Sequence, residues 1–147
     1  TSTKYKNEIK GVNSRLDELQ AAFLSIKLKV LDADNEKRRG LAKYYLSHIK
    51  NDKIILPHYN NSKNHVFHVF VIRTTQRNEL QEYLLKHDIQ TVIHYPIPPH
   101  KQKALTEFSK LNFPNTEQLH DEVLSLPISP TQTIKETEFI ISILNQF

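Results

Sequence analysis

Eight histidines are the side chains in this sequence best suited to hold a metal or move a proton near neutral pH, and no cysteine accompanies them. A zinc site needs several ligands converging on one point. His65 and His68 stand three apart in an apolar run that reads as a strand, so they point to opposite faces and do not converge. No metal site is expected. His94 and His100 flank a loop built on Pro96, Pro98 and Pro99. On residue type alone, each reads as an ordinary hydrogen-bonded imidazole. No serine sits in a nucleophile elbow, and no pair of carboxylates has an evident apolar setting. Only two glycines occur, Gly11 and Gly40, which excludes the Gly-rich loops that cradle phosphates. A phosphate contact would have to come from a side chain or a helix end. Residue types and spacing alone describe an α/β domain of unassigned role.

The elements that would position such residues can be read from the apolar pattern. Val12, Leu16, Leu19, Phe23, Ile26 and Val30 recur at spacings of three and four, one face of a helix. Asn13 and Ser14 are both N-cap types, and Ser14 with Asp17 resembles a capping box, so this helix is expected to start at or just after the pair. The pattern resumes at Leu41, Tyr45 and Ile49, which predicts either one long helix bent near Gly40 or two joined helices, ending before Pro57. The run from His65 to Arg73 is apolar on both faces and predicts a central buried strand. A short helix carrying Leu80 and Leu84 follows, then a second strand from Ile89 to Tyr95 stopped by Pro96. Short helices are expected near Lys101 to Phe108 and Asn115 to Val123, with a brief third strand over Leu124 to Pro127. The chain closes with a helix from Ile134 that buries Phe139, Ile140, Ile143 and Leu144. The fold class is therefore α/β (α+β), a single domain over 1–147 with a long helical segment about 13–50 and a small sheet with flanking helices about 64–147.

At 147 residues, 38% hydrophobic and 24% charged, the chain is long enough to bury a core. The net charge of +4 is interspersed, and the one tight basic cluster, Lys37, Arg38 and Arg39, reads as a solvated helix face, so no nucleic-acid partner is expected. No apolar run approaches the ~20 residues of a bilayer span, and Thr1 to Lys10 lack a signal-peptide core. The cytoplasm is the expected compartment, with no membrane partner. The sequence has no Met even at position 1, which suits a chain beginning inside a longer protein and equally one whose initiator Met was removed.

Three stretches carry a family likeness. Gly11 to Ala22 (GVNSRLDELQAA) resembles the signature of the DegT/DnrJ-type sugar aminotransferases, pyridoxal 5'-phosphate (PLP) enzymes of the aspartate-aminotransferase fold. HVFHVFVIRT from His65 with QTVIHYPIPPHKQ from Gln90 is a second match, and VLSLPISP from Val123 is a third, all in the family's order. The likeness covers essentially the whole chain and implies the C-terminal domain of such an enzyme. It implies that Asn13 reaches across a homodimer interface to the PLP phosphate of the neighbouring subunit, a role that suits an amide at a helix N-terminus. Arg15 resembles a residue near that interface, and Lys4 and Tyr5 match a segment near the neighbour's nucleotide-sugar pocket. His94 and Tyr95 match residues that line the sugar-nucleotide site, where imidazole and phenol can donate to pyrophosphate and a ring can pack on sugar. The IHYPIP form is similar to enzymes that aminate a 3-keto-6-deoxyhexose on dTDP.

The lysine that holds PLP in relatives, and the Asp on its pyridine nitrogen, match nothing here. Ser47 to Lys50 spell Ser-x-x-Lys, but at a predicted helix end where Lys50 reads as a C-terminal charge. The implied activity is thus that of a longer enzyme: transamination, with glutamate as donor and a nucleotide-linked keto sugar as acceptor. No residue of this chain is assigned a catalytic role. Two other readings compete: a stand-alone, non-catalytic nucleotide-sugar-binding or dimerisation module, favoured by a native protein of this length, and a nucleic-acid binder, favoured by binding that collapses with salt.

Overall fold

The computed structural model describes residues 5–147, so the expectation placed on Lys4 lies outside the described residues. Two helices open the fold, α1 (Glu18–Leu28) and α2 (Leu31–His48). The break falls at Lys29 and Val30, not at Gly40, which sits within α2 with nothing near where a Cβ would stand. The cap of α1 is also not the expected one. Asp17 is the N-cap, its carboxylate accepting from the Gln20 amide at 2.7 Å, and Leu16 before it has φ 73°, so the chain turns sharply there. A carboxylate satisfies an orphan amide as well as Asn or Ser does and adds charge that complements the helix dipole. Asn13 and Ser14 are left in the irregular stretch before it.

The sheet is small: β1 (Phe70–Arg73) pairs antiparallel with β2 (Val123–Leu126), Phe70 opposite Leu126 and Arg73 opposite Val123. Single bridges extend it on both sides, Ile55 to Arg73 and Val92 to Ser125. The strand expected from His65 therefore forms only over its last four residues. Arg38 of α2 explains the loss: its guanidinium donates to the carbonyls of Phe67 and His68 at 3.4 and 3.3 Å and to that of Ile128 at 3.2 Å. Successive carbonyls of a strand point to opposite sides, whereas those of Phe67 and His68 both turn to Arg38, and Phe67 itself has φ 48°. Arg39 is buried, paired with Glu36 and donating to the carbonyls of Lys63 and His65. Two of the three residues read as a solvated basic face thus tie α2 to the approach to β1. The second expected strand is likewise reduced to the Val92 bridge.

The remaining elements are α3 (Arg77–Lys86), two 3₁₀ turns (Pro99–Lys101 and Lys103–Phe108), α4 (Pro114–Glu122) and α5 (Ile134–Leu144). A capping box of Thr133 and Glu136 starts α5. Its buried face is Thr137, Ile140, Ile141, Ile143 and Leu144, while Phe139, expected in the core, is half exposed because it lies across the helix from Thr137 and Ile141. The core joins Ala42, Tyr45 and Ile49 of α2, Phe70 and Ile72 of β1, Leu80 and Leu84 of α3, Leu124 and Leu126 of β2, and this face of α5. Full burial of each Leu, Ile or Phe among these contributes about 1.5–3 kcal/mol. By contrast α1 buries nothing: Leu19, Phe23 and Ile26 are 67%, 58% and 66% exposed.

Candidate functional site

Of the five residues singled out for binding, the fold brings three together. The Tyr5 ring stands edge-on to His94 (6.2 Å between centroids, 70°) and to Tyr95 (5.3 Å, 72°), and His94 and Tyr95, joined by a cis peptide bond, stand edge-on to each other (5.4 Å, 82°). These are favoured geometries for aromatic pairs. Beside them is a cavity of about 360 Å³, lined by Tyr5, Asn7, Tyr95, Ile97, Gln102 and His120 among others. His94 is not part of this lining. A hollow of about 710 Å³ lies elsewhere, between Asp88–Gln90 and α5, and none of the five residues lines it.

The proline loop is held in place from the sheet. Ser125 of β2 exchanges two backbone bonds with Val92 (2.8 and 3.3 Å), and its hydroxyl pairs with His94 Nδ1 at 2.9 Å. The His120 imidazole at the end of α4 donates from Nδ1 to the Tyr95 carbonyl. At the other end, buried His100 donates from Nε2 to Glu117 at 2.9 Å and meets the Phe113 ring edge-on. This bond, with one from the Phe113 amide and the nearby Lys101 ammonium, holds the Glu117 carboxyl below its usual range. The prediction of a hydrogen-bonded histidine describes His100 well.

The segment before α1 reaches the same cavity. The Asn7 amide donates to Gln102 Oε1 at 3.0 Å, the Ala104 amide to the Asn7 carbonyl at 2.9 Å, and Gln102 Nε2 to the carbonyl of Tyr5 at 3.0 Å. Asn7, Gln102, His120 and Ser125 were not legible as site residues. Gln102 and Ser125 fall inside the recognised stretches, but a polar residue on a loop or a short strand carries no periodic mark. Asn13 and Arg15 lie apart from this cluster in the chain, both exposed and neither with a hydrogen bond or ion pair among the described residues. With Asp17 occupying the cap, Asn13 is not at the helix N-terminus, so the dipole gives its amide no help toward an anion.

Arg73 and Glu122 form the best-made charge pair near the sheet, with Nη2 and Nε of Arg73 donating to one carboxylate oxygen at 2.7 and 3.1 Å. Gln118 donates to the other oxygen at 2.7 Å, and these two partners, Gln118 foremost, hold the Glu122 carboxyl low. This pair joins β1 to the end of α4, the element that carries His120 into the cavity.

Comparison with known proteins gives one consistent result. Residues 1–145 match the DegT/DnrJ/EryC1/StrS aminotransferase family. The chain is 56% identical over 144 residues to the dTDP-3-amino-3,6-dideoxy-α-D-galactopyranose transaminase of Aneurinibacillus thermoaerophilus, covering 98% of this chain and 40% of that protein. Among solved structures, DesV of S. venezuelae aligns with a TM-score of 0.82 at 37% identity over 99% of this chain and 40% of its own. NtdA of Bacillus subtilis, solved with bound cofactor PMP, aligns at 0.80 with 32% identity over 98% of this chain and 35% of its own. The chain spans about 40% of the length of curated relatives it matches.

Proposed function

This chain belongs to the DegT/DnrJ/EryC1/StrS aminotransferase family, and from that premise we propose that it is the C-terminal part of a PLP-dependent enzyme that transfers an amino group to a nucleotide-linked keto-deoxy sugar. The first-choice acceptor is a dTDP-3-keto-6-deoxyhexose and the donor glutamate. The observation that carries this is the 56% identity, over nearly the whole chain, to a transaminase named for a dTDP-linked 3-amino-3,6-dideoxyhexose. The apolar face of α1 supports a larger assembly, because an exposed stripe of this kind marks a surface that another element covers. In this reading the cover is the rest of the enzyme, which acts as a homodimer in the cytoplasm.

The chain's fit to PLP is confined to one side chain. Asn13 is exposed, and its amide is spent on neither a cap nor another bond among the described residues, so it can donate to the phosphate. When bound, PLP supplies the electron sink through which an amino group is exchanged. This chain's own residues work at the edges of that chemistry. Arg15, near the interface, pairs with a carboxylate or phosphate. Tyr5 and Tyr95 pack ring faces and edges against the sugar, and His94, edge-on to both though outside the cavity lining, donates toward the pyrophosphate.

The test uses the full-length protein with glutamate and a dTDP-3-keto-6-deoxyhexose, following 2-oxoglutarate and the amino sugar by mass spectrometry. Formation of both in equal amounts is the expected result, and release of neither contradicts the reading. His94→Asn should raise KM for the keto sugar about tenfold, the loss of one hydrogen bond to a charged group. An unchanged KM would remove His94 from the site.

A further inference from the structure

We propose that Gln102 is a positioning residue of the sugar-side cavity, whose carboxamide holds the backbone of residues 5–7 so that the Tyr5 ring closes the wall against Tyr95. The proposal rests on the nucleotide-sugar reading of this cavity. A carboxamide offers one acceptor oxygen and two N–H donors. Here the oxygen takes the Asn7 amide at 3.0 Å, while the nitrogen donates to the carbonyls of Tyr5 at 3.0 Å and Ile97 at 3.4 Å. Ile97 belongs to the loop that carries Tyr95, so one side chain ties the backbone of Tyr5 to the loop of its ring partner.

The loop needs this help for a chemical reason. Pro96, Pro98 and Pro99 have no backbone N–H, so most of the loop cannot pair with a neighbouring segment through its own amides. Beyond it, the Ala104 amide reaches the segment, at the Asn7 carbonyl, 2.9 Å away. The ion pairs Lys10–Glu107 and Lys103–Glu8 flank the same segment, but all four side chains are 45–78% exposed, and such pairs hold little. Asn7 is thus gripped at both its N–H and its C=O, and Tyr5, two residues earlier, is fixed through its carbonyl. Tyr5, Asn7, Tyr95 and Gln102 all line the cavity, so losing the clamp alters its wall and not the core beneath.

The test is a double-mutant cycle in the full-length protein, read as Kd for dTDP-3-amino-3,6-dideoxy-α-D-galactopyranose by calorimetry. Gln102→Glu keeps an acceptor for Asn7 but loses both donors and sets a carboxylate against two carbonyls. Tyr5→Ala and Gln102→Glu should each raise Kd about tenfold, and the double variant also about tenfold, because residues acting through one contact are not additive. Gln102→Met, uncharged and of similar length, should repeat the result and guards against a folding defect peculiar to the carboxylate. A double variant weakened about a hundredfold, a Gln102→Glu variant within about twofold of wild type, or loss of folding in both Gln102 variants would each overturn the proposal. Wild-type protein that binds no nucleotide sugar would overturn the reading of the cavity itself, and the proposal with it.

Discussion

Tyr45→Phe removes one oxygen from the centre of the molecule, and its cost can be worked from the structure. Tyr45 is fully buried, with its ring 5.0 Å from that of Phe70. Its hydroxyl donates to the Pro127 carbonyl at 2.9 Å and accepts from Gln132 Nε2 at 2.9 Å. Gln132 keeps a bond to Thr137 Oγ1, so its amide is not wholly stranded, whereas the Pro127 carbonyl loses this donor. The two bonds lost with the hydroxyl, one of them leaving the part-buried Pro127 carbonyl short of a donor, cost about 2 kcal/mol together. With a urea dependence of ~1–3 kcal/mol/M, the unfolding midpoint of the 147-residue chain should fall by about 1 M. The same residue sets an alkaline limb. Burial pushes the Tyr45 phenol up to about 12, the Gln132 bond opposing this in part. A pKa raised on folding gives stability that is complete below the unfolded value near 10 and is lost as pH climbs toward the folded one. That amounts to about 3 kcal/mol between pH 10 and 12. Tyr45→Phe should therefore lose midpoint at pH 7 and show a shallower decline above pH 10. A midpoint within about 0.2 M of wild type at pH 7 would show that the two hydroxyl bonds contribute almost nothing to stability.

Three further outcomes follow from particular contacts. The Glu122 carboxyl lies below its ordinary value of 4.5 because Gln118 and Arg73 bond its ionised form, so its contribution is present above that value and is lost as pH falls through the folded one. Glu122→Gln should flatten the acid limb of a thermal-midpoint profile, and an unchanged limb would show that the pair contributes nothing. Phe23→Asp, on the exposed face of α1, should leave the stability of this chain within about 0.5 kcal/mol but lower the yield of assembled full-length protein in size-exclusion chromatography. Equal assembly would mean that nothing covers this face. Asn13→Ala should also change stability by less than about 0.5 kcal/mol while speeding PLP loss from the full-length protein on dialysis, followed by absorbance. Unchanged retention removes Asn13 from the phosphate site.

The parts of the fold that were legible in the sequence are those set by local periodicity. The three-and-four spacing gave α1, α3 and α5, and the strand expected over Leu124 to Pro127 is β2 displaced by one residue, because one face of each had to be apolar whatever surrounded it. The misread parts were decided by distant partners. His65 to Val69 have the composition of a strand, yet Arg38, some thirty positions earlier, takes the carbonyls of Phe67 and His68. Asp17 outcompeted Asn13 and Ser14 as a cap because the turn at Leu16 placed it there, which no residue type announces. The ring cluster was partly legible, since His94 and Tyr95 lie in one of the three recognised stretches and Tyr5 in a segment matched beside them, but its supports were not. Gln102 and Ser125 act through single side-chain bonds formed only once the loop has folded.

The central claim, that these residues are the C-terminal part of a larger aminotransferase, is tested most directly by the intact mass of the protein isolated from its native source. At 40% of a relative's length, 17.2 kDa scales to about 43 kDa for the whole. A mass near that value is expected, whereas a mass near 17.2 kDa would leave a small protein without the lysine that transamination needs and overturn the assignment.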